Sequence, residues 1–236
     1  MIIKAGPTEM FPISDDAPRS TTPYVNNLLI LINIVIYAFQ WSLGPRGEAA
    51  FVSHYAFFSQ HVSQWLSGYL PVDVALVPFF TSMFMHASWV HVIVNMWGLA
   101  IFGDNVEDRL GHFRYLLFYL ACGLGAIVTQ YVSDINSNVP VLGASGAIAG
   151  VMGAYFVLFP KARVLTWPLF FIRLPAWLVL GYWFVVQFLA GAAAAMTYSR
   201  QSTGGVAVWA HVGGFLTGVI LIKVLPPRRL YYSYEY

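Results

Sequence analysis

Gly143-Ala144-Ser145-Gly146-Ala147-Ile148-Ala149-Gly150 decides how this chain is read. Small residues open an apolar helical run, and one hydroxyl stands where that helix starts. A helix N-terminus carries unpaired N–H groups and about half a positive charge, so it can receive a developing oxyanion. Ser145 is therefore either a nucleophile awaiting a base or the N-cap of a membrane helix packed through small residues. The stretch is not the G-x-S-x-G turn of soluble hydrolases, because Ala147 stands where the last glycine would be.

Working outward, composition sets the solvent. The 236 residues are 58% hydrophobic and only 9% charged, against roughly 25% charged in soluble domains, which points to a membrane protein in contact with the lipid bilayer. A formal charge of +2 spread along the chain gives no nucleic-acid surface. Cys122 is the single cysteine and lies in an apolar run, which excludes a disulfide framework and a cysteine zinc site. No short apolar region is followed by a small-residue cleavage site, so the first apolar run is expected to stay as an anchor.

Residues 1–23 contain four prolines and read as a short, poorly ordered cytoplasmic tail. Six apolar runs follow, at about 24–43, 89–102, 113–132, 145–159, 174–195 and 206–225, with a second cytoplasmic tail at 226–236. Several runs are shorter than the roughly 20 residues a full crossing needs. Between the first two, Phe51, Tyr55, Phe58, Val62 and Trp65 follow helical spacing and predict a helix lying in the membrane interface. Lys and Arg concentrate on the side that holds both termini, leaving Arg46 and Arg200 opposite, as the positive-inside rule asks of cytoplasmic termini. On that orientation His91, Asn95, Ser145 and His211 all sit near the outer beginnings of their spans, at a recessed depth that needs a water-filled cavity.

His211 lies in Ala210-His211-Val212-Gly213-Gly214. An ionisable residue inside a membrane helix is costly and faces protein or water. Alone, it reads as a neutral histidine bonding two helices; beside Ser145, it is a suitable general base. Gly146 and Gly150, and Ala210, Gly214 and Gly218, are spaced four apart, a pattern that lets membrane helices approach closely. No Asp or Glu falls in either span, so a Ser–His dyad is permitted and a triad is not. His91 and Asn95, four apart, share a helix face and can both donate to an oxyanion beside the Ser145 backbone N–H. His86 and His91 are five apart with no carboxylate nearby, so no metal is expected, and His86 reads as a structural hydrogen-bonder at the start of the span.

These residues resemble the rhomboid family of intramembrane serine proteases. The resemblance rests on His86, His91-x-x-x-Asn95, Gly143-Ala144-Ser145-Gly146 and Ala210-His211-x-Gly-Gly, with Gly103–Gly111 similar to the family's turn after the second span. It implies an all-α membrane protein, a six-helix bundle with a long, partly embedded first loop. It implies Ser145 as nucleophile, His211 as base and an oxyanion hole of His91, Asn95 and the Ser145 amide, with Gly143, Gly146, Gly150, Gly214 and Gly218 supporting the site. It further implies transmembrane-protein substrates, a gate formed by the fifth span with a cap around Met196–Gly205, and no cofactor. Two departures stand out: Ala149 occupies the position where some members stack an aromatic on the histidine, and the first loop lacks the common Trp-Arg pair. The rival readings are a rhomboid-like protein that binds membrane clients without cutting them, and a small transporter or channel. The short tails and absent transit peptide favour a bacterial plasma membrane.

Overall fold

The computed structural model describes residues 11–167, 172–197 and 207–225. Residues 1–10, the expected cap loop beyond residue 197 and the C-terminal tail lie outside the described residues. Strand β1 (Phe11–Asp15) precedes helix α1 (Tyr24–Ser42). The first connection holds α2 (Gly44–Tyr55), α3 (Ser59–Leu66), α4 (Val72–Leu76), α5 (Pro78–Thr81) and a 3-10 turn (Ser82–Phe84). Helices α6 (Trp89–Leu110), α7 (His112–Ser133) and α8 (Ser145–Leu158) follow. Strands β2 (Arg163–Trp167) and β3 (Arg173–Pro175) lead to α9 (Ala176–Thr197), and α10 (Val208–Val224) closes the described chain.

By length and composition, α1, α7 and α9 can each cross a membrane, and residues 72–84 with α6 form a bent pair, broken by 74°, that can serve as one more. The apolar helices α8 and α10 are shorter. Large apolar side chains stand exposed along the bundle, among them Leu31, Val35, Ile93, Val128, Val185, Leu189 and Ile220. A surface of this kind suits hydrocarbon rather than water, and the helices satisfy their own backbone within it. The molecule is thus a mostly helical integral membrane protein.

The centre of the bundle is the crossing of α8 and α10, which pack more closely than any other helix pair. A Cβ added at Gly214 would fall 2.0 Å from the Gly146 carbonyl oxygen, and one at Gly218 would fall 1.9 Å from that of Gly150. Gly150 also meets the Cys122 side chain of α7, at 2.3 Å from the same construction. Backbone therefore lies on backbone here, as the small-residue spacing predicts.

Several expectations are corrected. The chain is not wholly helical: β1, β2 and β3 form an antiparallel sheet in that order. The alternation of β2, with Val164 and Thr166 buried and Arg163 and Trp167 exposed, is the period of a strand. Residues 11–23 are not a loose tail. Asp15 accepts from the Tyr155 hydroxyl, Arg19 pairs with Asp104 at 2.8 Å, and Asp108 accepts from the Thr21 amide at 2.8 Å. The helix that carries the second span continues past Phe102, because Gly103–Leu110 extends α6 and the turn falls only at Gly111, with φ +79°. The charges of that last stretch are occupied: Glu107 accepts from the Val25 and Asn26 amides at 3.0 and 2.7 Å, placing a carboxylate on the N-terminus of α1. Finally, the interfacial helix of the first loop is two helices. Phe57 interrupts it, fully buried and bridged to Val141 by two backbone hydrogen bonds of 3.0 and 2.8 Å.

Candidate active site

The first loop sets where α8 begins. Besides the Phe57–Val141 bridge, the Gln60 amide donates to the Ser137 carbonyl at 3.0 Å and the Gly143 amide to that of Ser82 at 2.9 Å. These bonds hold the segment leading into Ser145 in an extended path. Gly143 then turns at φ +127°, a conformation L side chains rarely adopt, and the helix starts two residues later. Ala144 is the N-cap residue and contributes no side-chain cap. Ser145 is the first helical residue, so its hydroxyl is not spent as an N-cap. The first-turn amides of α8 lack intrahelical partners, as at any helix start.

The Ser145 hydroxyl and His211 Nε2 lie 2.8 Å apart. The close α8–α10 crossing produces this contact, since both side chains sit near the same end of that seam. The second ring nitrogen of His211, Nδ1, lies 2.8 Å from Gln187 Oε1 on α9. Trp183, one turn before Gln187, lies against the imidazole with ring centroids 5.7 Å apart and planes at 35°. The Ala210 amide at the start of α10 donates to Gln130 Oε1 at 3.2 Å, fixing that helix end to α7.

Gln187 and Trp183 were missed by sequence reading. The signal available was a lone amide in the otherwise apolar run Trp183-Phe184-Val185-Val186-Gln187-Phe188-Leu189. An uncharged polar side chain inside a membrane span faces protein for the same reason a charged one does. An aromatic contact with the imidazole thus comes from α9 rather than from position 149.

His91 and Asn95 gather around Gly143. A Cβ built there would lie 2.8 Å from His91 Cε1, 2.9 Å from His91 Nε2 and 3.7 Å from Asn95 Nδ2. Any side chain at 143 would therefore displace the His91 ring. The Ser88 hydroxyl caps α6 by accepting the His91 amide at 3.1 Å, and His91 Nδ1 accepts from the Ala87 amide at 3.4 Å. With Nδ1 accepting, a neutral ring carries its hydrogen on Nε2, the nitrogen beside Gly143. The Asn95 amide nitrogen is buried with no hydrogen-bond partner among the described residues. Two donors thus converge two residues from the serine. His86 is fully buried, with its ring edge-on to His91 at 5.0 Å, and its backbone exchanges hydrogen bonds with Gln40. Among the described residues no three His, Cys, Asp or Glu side chains gather as a metal site would need.

A hydroxyl hydrogen-bonded to an imidazole, a helix N-terminus and a pair of side-chain donors are the parts acyl transfer uses. Residues 74–228 match the family model described as Rhomboid domain. The chain is 29% identical to Rhomboid-like protein 11, chloroplastic, of Arabidopsis thaliana, over 84% of this chain and 64% of that protein. It is 32% identical to RHOMBOID-like protein 6, mitochondrial, of the same plant, over 61% of this chain and 42% of that one. It is also 32% identical to Rhomboid protein 1, mitochondrial, of Saccharomyces cerevisiae, over 59% and 39%. The chain spans between about two fifths and just under two thirds of these relatives. All three names are organellar, so the expectation of a bacterial plasma membrane draws no support from them.

Proposed function

The chain belongs to the rhomboid family, and from that premise we propose that it is an intramembrane serine endopeptidase. It hydrolyses peptide bonds in or next to the transmembrane segments of membrane-protein substrates. The observation that carries the reading is the 2.8 Å contact between Ser145 Oγ and His211 Nε2 at the N-terminus of α8. Ser145 attacks the scissile carbonyl as its proton passes to Nε2. The negative oxygen that forms is held by His91, Asn95 and the Ser145 backbone N–H. The proton on Nε2 then goes to the leaving amine, and water hydrolyses the acyl-enzyme by the same route.

The surrounding architecture is a six-span domain over 24–225, formed by α1, α6, α7, α8, α9 and α10, with the long first loop partly in the membrane. At 14 residues α8 is roughly 21 Å long, against a hydrocarbon core of about 30 Å. A helix this short starts below one membrane surface, which supports a recessed serine reached by water from that side. Both termini lie on the side that carries most of the basic residues, the cytoplasmic side by the positive-inside rule.

Cleavage of a tagged single-span substrate by purified protein in liposomes tests the reading. Wild type should cut, and Ser145→Ala and His211→Ala should not. Cutting by all three would exclude Ser145 as nucleophile. A wild type that neither cuts nor reacts with a fluorophosphonate would favour a non-cutting binder of membrane clients.

A further inference from the structure

His211 is held at both ring nitrogens, by Ser145 at Nε2 and by Gln187 Oε1 at Nδ1, each at 2.8 Å. An amide oxygen only accepts hydrogen bonds, so the contact at Nδ1 requires its hydrogen there. A neutral ring then keeps its lone pair on Nε2, which is the form able to take the Ser145 proton. The other tautomer would present N–H to the hydroxyl and could not act as base. In a triad a carboxylate makes this choice. Among the described residues of α8, α9 and α10 there is no Asp or Glu to make it.

We infer that Gln187 is the positioning residue of this site, fixing His211 in the Nδ1–H tautomer and aiming Nε2 at Ser145. The inference rests on the reading of Ser145 and His211 as nucleophile and base. As Oγ bonds to the substrate carbonyl carbon, its proton moves to Nε2 and the ring becomes an imidazolium whose Nδ1–H stays on Gln187. When the C–N bond breaks, the Nε2 proton leaves with the amine and the neutral Nδ1–H form returns. Gln187 neither gains nor loses a proton, so its contribution is orientation and an oriented dipole rather than a counter-charge.

The second support from α9 is Trp183, which confines the ring from the same helix. Both props therefore belong to a helix that is less buried than α1 or α7. A displacement of α9 long enough to break one 2.8 Å contact would free the ring to change tautomer.

The test uses the full chain in detergent micelles, with ¹⁵N-labelled histidine and His211→Asn to assign the signal. Wild type should show His211 protonated on Nδ1. Gln187→Leu, and Gln187→Met as a second apolar variant, should lose that preference and slow fluorophosphonate labelling of Ser145 by roughly 10- to 100-fold. Gln187→Glu, which retains an accepting oxygen, should keep both the tautomer and most of the rate. The inference is overturned if the apolar variants keep the Nδ1–H tautomer, or if wild type itself carries its hydrogen on Nε2. It is also overturned if Glu, Leu and Met variants all slow labelling equally. Wild type that shows the Nδ1–H tautomer yet never labels would sink the protease reading, while the tautomer measurement still decides the role of Gln187.

Discussion

On the proposed mechanism the carbonyl under attack gains charge on its oxygen, and what His91 and Asn95 would contribute depends on how rigidly they wait for it. Both side chains are fixed before any substrate arrives: the His91 ring by the Ala87 amide and the Gly143 backbone, and Asn95 by burial. Donors of this kind act in the transition state more than in the bound ground state. His91→Ala and Asn95→Ala should each therefore lower kcat by roughly 100- to 1,000-fold with KM nearly unchanged. Steady-state kinetics in liposomes checks this, and a loss confined to KM would assign the pair to substrate binding instead. Ser145, His211, His91 and Asn95 were legible in the sequence because each is a polar group in a segment otherwise built for lipid. Gln187 obeys the same rule, but its only sequence signal is one uncharged amide in an apolar run. Trp183 is one aromatic among several in its run, with no spacing that ties it to His211. Nothing in a linear spacing says which face of α9 meets α10.

The glycine seam between α8 and α10 fixes how accurately these groups meet. A methyl group at Gly218 would lie 1.9 Å from the Gly150 carbonyl oxygen, and backbone on both sides leaves nothing flexible to yield. Gly218→Ala should thus destabilise the protein by about 1–3 kcal/mol, with the two helices forced apart. Gly181→Ala on α9, where the nearest atom is Phe156 Cε2 at 3.7 Å, should be neutral or slightly stabilising. Thermal melting in one detergent compares the two variants directly; equal melting would mean that the seam is looser than its geometry. This contact was readable because spacing by four is local information. The break between α2 and α3 was not, since Phe57 leaves the helix to pair with Val141, far along the chain. The extension of α6 through Gly103–Leu110 was hidden for a similar reason. Its acidic residues look like a solvated turn until Arg19, Thr21 and the start of α1 arrive to occupy them.

Those acidic contacts tie the segment before α1 across the end of the bundle opposite Ser145, so the molecule is braced at both ends. The first loop holds the entrance to α8, and residues 11–26 hold the far ends of α6 and α8. Asp15, half-buried, is the weak point of that brace. Burial pushes its carboxyl above the ordinary value of 3.8, and the Tyr155 hydroxyl donated to it only partly offsets the cost. Between the ordinary and the raised value the folded protein keeps a proton that the unfolded chain has released. The contribution of Asp15 to stability is therefore greatest below the ordinary value and is lost as pH rises through the raised one. Asp15→Asn keeps an oxygen for Tyr155 and removes the charge. It should raise the thermal midpoint at about pH 7.5 and leave it nearly unchanged at about pH 3.5. A lower midpoint at about pH 7.5 would instead show that the ionised carboxylate is what holds β1 against α8. Because the brace lies at the far end of α8 from the serine, the gain in stability should come with an unchanged rate of Ser145 labelling.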